Sequence, residues 1–207
     1  MTRIAILVGS TRPGRNGTAV AEWVHRHAQG RSDVEYALVD LADFDLPVLD
    51  EPVPASRGLY SKGHTKAFAS VIDSFDGFVF VTPEYNHATS GALKNAIDYL
   101  YAEWNNKAAG FVSYGSAGGV RAVENLRLIT SELQIAHVRA QVAFSLATDF
   151  ENYSVFTPAA SHESTLATML DQLESWTKAL EGVRAEIRFR DEEVLGRGQP
   201  GLAQLRP

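Results

Sequence analysis

Short runs of apolar residues recur along this chain, and segments with helical periodicity separate them. The runs at 4–8, 77–82 and 109–114 are almost wholly apolar, which is typical of strands buried on both faces of a parallel sheet. Residues 34–40 predict a further strand, and residues 136–143 predict an edge strand because polar and apolar side chains alternate there. Five strands alternating with helices predict an α/β fold in which helices cover both faces of the sheet.

Apolar residues spaced at i, i+3, i+4 and i+7 predict a helix between successive strands and another after the last strand. The predicted helices are one through Val20, Trp23 and Val24, then residues 66–74, a stripe from Leu93 to Trp104, residues 120–133, and residues 161–180 with Ser161 as N-cap. Residues 42–63 contain three prolines and predict a long irregular segment. Segments of that length are usually functional lids, interfaces or disordered.

The composition excludes several classes of protein. The chain has 207 residues and a net charge of −6, whereas nucleic-acid-binding proteins normally present a basic face. It has no cysteine, which rules out disulfides, a thiolate nucleophile and an iron–sulfur cluster. No apolar run approaches the ~18 residues of a membrane span. We therefore expect a cytoplasmic protein that binds neither nucleic acid nor membrane, with one domain at 1–184 and a charged tail at 185–207.

The loop after the first strand, residues 10–18, leads directly into a predicted helix. A helix N-terminus offers unpaired N–H groups and partial positive charge, which favour an anion. The polar and glycine residues suited to a phosphate there are Ser10, Arg12, Arg15, Asn16, Gly17 and Thr18. Neither the dinucleotide nor the nucleoside-triphosphate glycine motif matches. From these residues alone, the loop is either a phosphate site or a solvated turn.

Two further loops follow buried strands and fall at the same edge of the predicted sheet. The second loop, with Pro83, Glu84, Tyr85 and Asn86, offers backbone groups and an aromatic ring to a flat heteroaromatic ligand. Asn86 tolerates left-handed backbone and suits a tight turn. The third loop is rich in glycine and contains Ser113, Tyr114, Gly115, Gly118 and Gly119. Each loop is either a ligand-facing rim or an ordinary connection, with Glu84 solvated in the second case.

Three motifs occur in order along the chain: Gly-Ser-Thr-Arg at 9–12, Thr-Pro-Glu-Tyr-Asn with Leu-Lys-Asn-Ala-Ile-Asp at 82–98, and Ser-x-Gly-x-x-Gly-Gly at 113–119. Together they resemble the NADPH-dependent FMN reductase family, which includes quinone, chromate and azo-dye reductases of flavodoxin-like fold. The resemblance covers roughly residues 3–145, and its most specific part is the spacing of the two motifs within 82–98.

The resemblance implies a flavodoxin-like three-layer sandwich whose five-stranded parallel sheet has the order 2-1-3-4-5. It implies FMN as cofactor, with Ser10, Arg12 and the amides through Thr18 on the phosphate. Residues 83–86 would line the isoalloxazine and ribityl, and residues 113–119 would border the other side of the flavin. Many relatives have serine where Arg15 stands and asparagine where Gly17 stands. Arg15 therefore either contacts the phosphate or points to solvent and attracts NADPH.

The implied activity is ping-pong hydride transfer from NADPH or NADH, through FMN, to a small acceptor. That acceptor would be a quinone, an azo compound, free flavin or a metal oxyanion. The flavin supplies the chemistry, so no residue is predicted as catalytic, and the histidine spacing predicts no metal site. Relatives are commonly homodimers or homotetramers in which a partner subunit completes the flavin site. The alternatives are an FMN electron-carrier flavodoxin and an interaction protein regulated by flavin redox state.

Overall fold

A computed structural model describes residues 1–186 of the chain. Its centre is a five-stranded parallel sheet in the order β2-β1-β3-β4-β5, which confirms the predicted strand order. The strands are β1 Thr2–Val8, β2 Val34–Asp40, β3 Gly77–Pro83, β4 Ala108–Gly115 and β5 Ala136–Ser145. The strand predicted at the edge, β5, does lie at one edge of the sheet.

In residues 1–186, five helices of eight or more residues connect or follow these strands. They are α1 Gly17–Ala28, α2 Gly63–Asp73, α3 Gly91–Asp98, α4 Val120–Glu132 and α5 Ser161–Ala179. The helices α1 and α5 pack on one face of the sheet, and α2, α3 and α4 pack on the other. This three-layer arrangement is the predicted flavodoxin-like architecture. No helix in residues 1–186 combines the length and the hydropathy that a membrane crossing requires.

The two faces of the sheet explain the unbroken apolar runs in the sequence. In β1, Ile4, Ile6 and Val8 face α1 and α5, while Ala5 and Leu7 face the other helices. All five side chains are buried. Because successive side chains of a strand point to opposite faces, a sheet covered on both sides requires apolar residues at every position.

Two helix predictions were wrong in detail. The stripe from Leu93 to Trp104 is not one helix, since α3 ends at Asp98 and Trp104 lies in a separate 3-10 turn. Trp104 is nevertheless fully buried, and its Nε1 donates to Ile97 O at 3.2 Å. The N-cap of α5 is Ala160 rather than Ser161, which is already the first helical residue.

The segment at 42–63 is irregular, as predicted, but it is held against the body of the fold. It contains a 3-10 turn at Ala55–Arg57. The amide of Leu49 donates to Asn95 Oδ1 at 2.9 Å, and Asn95 Nδ2 donates to Pro47 O at 2.7 Å. The side chains of Val48 and Leu59 are mostly exposed, so the segment presents apolar surface to solvent.

A small antiparallel hairpin after β5 has no counterpart among the predictions. It pairs β6 Phe150–Glu151 with β7 Val155–Phe156. Two-residue strands give too little alternation to be recognised from sequence. The ring of Phe156 packs edge-on against Phe144 of β5 at a centroid distance of 4.8 Å, which fixes the hairpin to the core.

Asp149 holds the base of this hairpin. It is 3% exposed and accepts hydrogen bonds from Ser145 N at 2.8 Å and Ala159 N at 3.3 Å. His162 Nε2 lies 2.9 Å from the same carboxylate. Burial alone would raise the pKa of Asp149, but these backbone hydrogen bonds and His162 outweigh burial and lower it.

The predicted boundary at 184 stays a prediction. Arg184 donates to Asn106 O at 3.2 Å and to Asp76 Oδ1 at 3.2 Å, so residues up to this point contact the body of the fold. Of the predicted tail at 185–207, all but residues 185 and 186 lie outside the described residues.

We predict that Asp149→Asn lowers the free energy of unfolding by about 2 kcal/mol at pH 7, because it leaves buried partners of the carboxylate poorly satisfied. The folded-state pKa of Asp149 is depressed, so its stabilisation is present above about pH 4 and is lost as the pH falls through that depressed value. In urea unfolding, the difference in free energy of unfolding between the wild type and Asp149→Asn should therefore become smaller as the pH is lowered. A difference that stays constant down to the acid transition would contradict this account.

Candidate active site

The carboxyl ends of β1, β3 and β4 bring the three predicted loops to one edge of the sheet. Ser10 Oγ and Tyr85 OH, from the first and second loops, lie 3.1 Å apart. Ser90 Oγ donates to Gly9 O, and Gly9 N donates to Val81 O at 2.8 Å. A Cβ on Gly9 would lie 2.8 Å from both Val81 O and Leu93 Cδ2. Only glycine therefore allows β1 to approach β3 and α3 this closely.

Side-chain oxygens accept from a first-turn amide of two helices, α3 and α4, and from residues just before two others, α2 and α5. Glu51 accepts from Ser61 N and Lys62 N at the start of α2, each at 2.9 Å. Ser90 Oγ accepts from Leu93 N of α3 at 3.1 Å. Glu84 accepts from Arg121 N of α4 at 3.1 Å. Asp149 accepts from Ala159 N, which lies just before the N-cap of α5.

The start of α1 shares with the starts of α2 and α5 the lack of a side-chain cap within residues 1–186. Within residues 1–186, no side-chain oxygen accepts a hydrogen bond from an amide of its first turn. The N-cap residue, Asn16, is of a type that usually caps a helix, but its Nδ2 donates to Tyr153 O at 2.9 Å instead. The first N–H groups of a helix have no partner within the helix, so those of α1 are available to a ligand.

A buried hydroxyl lies beneath the same helix start. Tyr114 in β4 is 5% exposed, and its OH has no hydrogen-bond partner of acceptable geometry in the described part of the chain. A Cβ on Gly17 would lie 2.8 Å from this oxygen, so the hydroxyl is directed at the first residue of α1. Burial and the neighbouring Tyr85 raise the pKa of Tyr114 well above that of a free phenol, which keeps it a neutral donor.

The two arginines of the first loop have different environments. Arg15 forms an ion pair with Asp40 at the end of β2, and its Nε donates to Thr18 Oγ1 at 3.2 Å. Arg12 is exposed, and no ion pair joins it to any of residues 1–186. The charge of Arg15 is thus matched by a carboxylate of the chain, and the two alternatives for its contact with a ligand stay predictions.

Glu84 is not solvated. Its side chain is 4% exposed and forms an ion pair with Arg121. Burial alone would raise its pKa, but the hydrogen bonds and charge of Arg121 lower it. This carboxylate links the second loop to the start of α4, so only the backbone of Glu84 is free to meet a ligand.

The second loop forms a tight turn that projects an aromatic ring. Tyr85 and Ala88 exchange backbone hydrogen bonds of 3.0 and 3.1 Å. Asn86 and His87 between them adopt positive φ values of 49° and 74°, as the predicted tolerance of Asn86 for left-handed backbone allows. Tyr85 is 37% exposed, so part of its ring faces the solvent side of the edge.

The third loop packs tightly on itself. Ser113 is fully buried, and its Oγ donates to Gly118 O at 2.7 Å. Gly119 has a φ of 73°, and a Cβ there would lie 2.8 Å from Ser113 Cβ. The hydroxyl of Ser113 therefore shapes the loop, while Gly115, Gly118 and Gly119 bring its backbone close to the sheet.

The sequence analysis did not find three contributors to this edge: Asp40, Arg121 and Tyr153. Each acts through a partner that is distant in the chain, and no local pattern marks such a pair. Ser90 was also missed, although a serine three residues before Leu93 is a recognisable N-cap pattern. Within residues 1–186, no group of three or more histidine or carboxylate side chains is arranged to hold a metal ion.

The comparison with known protein families decides the family. The model described as NADPH-dependent FMN reductase matches residues 2–149. The chain belongs to this family. It is an oxidoreductase that uses FMN and NAD(P)H, and the predicted resemblance is thereby confirmed.

Individual relatives agree with this assignment. The reductase is 39% identical over 160 residues to the NAD(P)H-dependent FMN reductase ntnL of a Nectria species, which covers 72% of this chain and 79% of the relative. It is 35% identical over 133 residues to a quinone reductase of Escherichia coli, covering 61% of this chain and 68% of the relative. The solved structure of FerB, a flavoenzyme NAD(P)H:(acceptor) oxidoreductase from Paracoccus denitrificans, superposes with a TM-score of 0.66 at 20% identity, covering 86% of this chain and 98% of that one. At that identity the superposition supports the fold alone.

We predict that Gly17→Ala destabilises the reductase by about 1–3 kcal/mol, because the added methyl group would meet the buried Tyr114 hydroxyl at 2.8 Å. In a Tyr114→Phe background the nearest ring carbon is 3.7 Å away, and the same substitution should cost much less.

Gly63→Ala is the matched control, since Gly63 also begins a helix and nothing lies within 4 Å of its added Cβ. It should be neutral or slightly stabilising. Thermal and urea unfolding of these variants provide the measurement. Equal costs for Gly17→Ala in both backgrounds would show that the hydroxyl does not occupy this space.

Proposed function

We propose that this reductase transfers hydride from NAD(P)H through FMN to a small acceptor in a ping-pong cycle, and that its FMN phosphate binds at the start of α1. The observation that carries the second statement is the uncapped start of α1 above the unpartnered Tyr114 hydroxyl. The anion site at a helix N-terminus is a general property of helices. At α4 the carboxylate of Glu84 already fills the corresponding position.

The residues at the sheet edge fit FMN. The amides from Gly17 onward would hold the phosphate, together with Ser10, which is buried beside Tyr85. The backbones of residues 83–86 and 115–119 would border the isoalloxazine ring from two sides. When bound, FMN supplies the hydride-accepting and hydride-donating chemistry. The protein's own residues bind the flavin, orient the nicotinamide and the acceptor against it in turn, and limit access of water.

No side chain at this edge needs to act as a general acid or base. Glu84 is ionised and paired with Arg121, and Tyr114 is kept neutral by burial. We therefore propose no catalytic residue. The backbone amides of the third loop are candidates to stabilise the reduced flavin, because amides directed at a developing negative charge act without reorganisation.

Arg12 is the arginine that we propose for the phosphate. Arg15 already pairs with Asp40, so its net contribution to an anion is reduced, whereas Arg12 retains a full charge at the exposed side of the loop. The paired Arg15 also removes the sequence-based reason to prefer NADPH over NADH.

We predict that Arg12→Gln raises the Kd for FMN about tenfold, since a charge-assisted hydrogen bond to a phosphate is worth about 1.5–3 kcal/mol. The Kd for riboflavin, which lacks the phosphate, should change less than twofold. Flavin fluorescence titration of the flavin-free protein gives both constants.

Arg139→Gln is a suitable control, because Arg139 is an exposed arginine on β5, away from the first loop. It should change neither constant. If Arg12→Gln raises the Kd for FMN and the Kd for riboflavin by the same factor, Arg12 lies outside the phosphate site.

The acceptor class, the assembly and the location of the reductase stay proposals. We infer a quinone or a similar flat, electron-poor acceptor, because one pocket over the flavin must accept the nicotinamide and the acceptor in turn. We also propose a homodimer or homotetramer, supported by the exposed apolar residues Val48 and Leu59 of the segment at 42–63. A cytoplasmic location is expected from the sequence alone.

The first experiment is an absorbance spectrum of the purified protein, followed by anaerobic addition of NADPH and, separately, NADH. We expect flavin bands at about 370 and 450 nm that bleach on addition of a reduced nicotinamide and return when a quinone is added. Bands that persist with both nucleotides would indicate an electron carrier or a redox-regulated binding protein. Absence of flavin bands after FMN is supplied would contradict the proposed function as a whole.

A further inference from the structure

We propose that the β6–β7 hairpin belongs to the cofactor site: it holds the side chain of Asn16 away from the start of α1, so that this helix cannot cap itself and remains open to the phosphate. The inference rests on the proposed binding of the FMN phosphate at this position. It assigns a positioning role to the carbonyl of Tyr153, which lies beyond the matched residues 2–149.

The side chain of Asn16 is the natural competitor of a phosphate at α1. Asparagine is among the best N-cap residues, because its Oδ1 accepts from an amide of the first helical turn. Here Asn16 occupies the N-cap position with helical backbone, φ −79° and ψ −15°, and makes no side-chain cap. It is 9% exposed, and its Nδ2 donates to Tyr153 O at 2.9 Å. The hydrogen bond therefore uses the side chain in a direction away from the helix amides.

The hairpin presents this carbonyl by an unusual backbone conformation. Its turn, residues 152–154, connects Glu151 to Val155. Asn152 and Tyr153 have φ values of 51° and 58°, a region that residues with a side chain rarely adopt. The Tyr153 side chain is 70% exposed, so it is the carbonyl, rather than packing of the ring, that joins the turn to Asn16.

The hairpin is rigidly attached, so it can hold Asn16 in place. Asp149 anchors its first strand, and Thr157 N donates back to Asp149 O at 2.9 Å. The ring of Phe156 packs edge-on against both Phe144 and Trp23. Trp23 belongs to α1 itself, so the hairpin contacts the same helix at its start and at its second turn. A change in the hairpin is thereby coupled to the position of α1.

The hydroxyl of Tyr114, which makes no hydrogen bond of acceptable geometry within residues 1–186, is a second observation that supports a ligand at the start of α1. The hydroxyl is buried and directed at Gly17. If the Asn16 side chain capped the helix, the Tyr114 hydroxyl would still lack a partner. An anion with several oxygens would accept from the helix amides and from this hydroxyl together.

The test measures how much the phosphate adds to flavin binding, as the ratio of the Kd for riboflavin to the Kd for FMN in the flavin-free, full-length protein. Replacing the turn at 152–154 by a two-residue Asn-Gly turn keeps the hairpin and removes the Tyr153 carbonyl. We expect the ratio to fall about fivefold, the value of one N-cap interaction. Combining this replacement with Asn16→Ala removes the competitor and should return the ratio to within about twofold of the wild type.

Single substitutions of Asn16 test the same point without changing the hairpin. Asn16→Asp cannot donate to the carbonyl and brings a negative charge to the helix, so the ratio should fall at least tenfold. Asn16→Ala can neither cap nor donate and should stay within about twofold of the wild type. Tyr153→Asn keeps the carbonyl and should leave the ratio unchanged, which separates the carbonyl from the ring.

The outcomes distinguish this inference from the proposed function. If the wild-type protein binds riboflavin as tightly as FMN, the phosphate site itself is wrong, and the inference fails with it. If the wild type prefers FMN but the turn replacement keeps that preference, the hairpin has no such role. If Asn16→Ala lowers the ratio of the two Kd values as much as Asn16→Asp does, Asn16 contacts the phosphate directly and the inference is likewise overturned.

Discussion

The unpaired N–H groups at the starts of helices are the constraint on which the edge of this sheet depends. In a parallel α/β fold the helix that follows each strand begins at the carboxyl edge, so the fold gathers five helix starts near one another. Each start carries unsatisfied donors and a partial positive charge. The first turns of α3 and α4 receive an oxygen from Ser90 and Glu84. Glu51 and Asp149 accept from amides of the residues just before α2 and α5. At α1 the N-cap residue, Asn16, bonds to the hairpin instead.

These contacts explain why some conspicuous residues of the motifs hold the loops in place, while other groups remain available to a ligand. Glu84 and Ser113 belong to motifs shared with FMN reductases, yet their side chains are buried and bonded within the protein. Their contribution to a ligand is indirect, because they fix the backbone of the second and third loops. Arg15 is likewise committed to Asp40. The groups that remain available are mainly backbone amides, together with Ser10, Arg12 and the hydroxyl of Tyr114.

The sequence predicted the sheet well, because a sheet covered on both faces leaves a signal at every position of each strand. Ile4 to Val8 could scarcely be anything but a buried strand, and the strand order came from the family resemblance. The prediction from sequence failed where tertiary contacts decide the local structure. Trp104 continues a helical stripe in sequence, but its contacts with Phe78 and Ile97 place it in a separate turn.

The candidate site was predicted as three loops and not as a set of contacts. Loop positions follow from where strands end, which the apolar runs reveal. The pairing of Arg15 with Asp40, or of Asn16 with Tyr153, joins residues that are 25 and 137 positions apart, and no local pattern encodes such a distance. The departures of the first loop from the family pattern raised the question of which donors serve the phosphate. The answer depends on contacts with other segments of the chain, at Asp40 and Tyr153.

The contacts of Asn16 also bear on how a binding site can coexist with a stable fold. A helix that caps itself gains stability without a ligand, whereas a helix left open gains it only when the ligand binds. In this chain the cost of leaving α1 open is offset by a hydrogen bond from Asn16 to a hairpin that is anchored by Asp149 and by packing on Trp23. The stabilisation that α1 lacks at its uncapped start is supplied instead by the contacts of Asn16 and Trp23 with the hairpin. A site organised in this way is preformed before its ligand arrives, and ligand binding then adds stability to a helix whose position is already fixed.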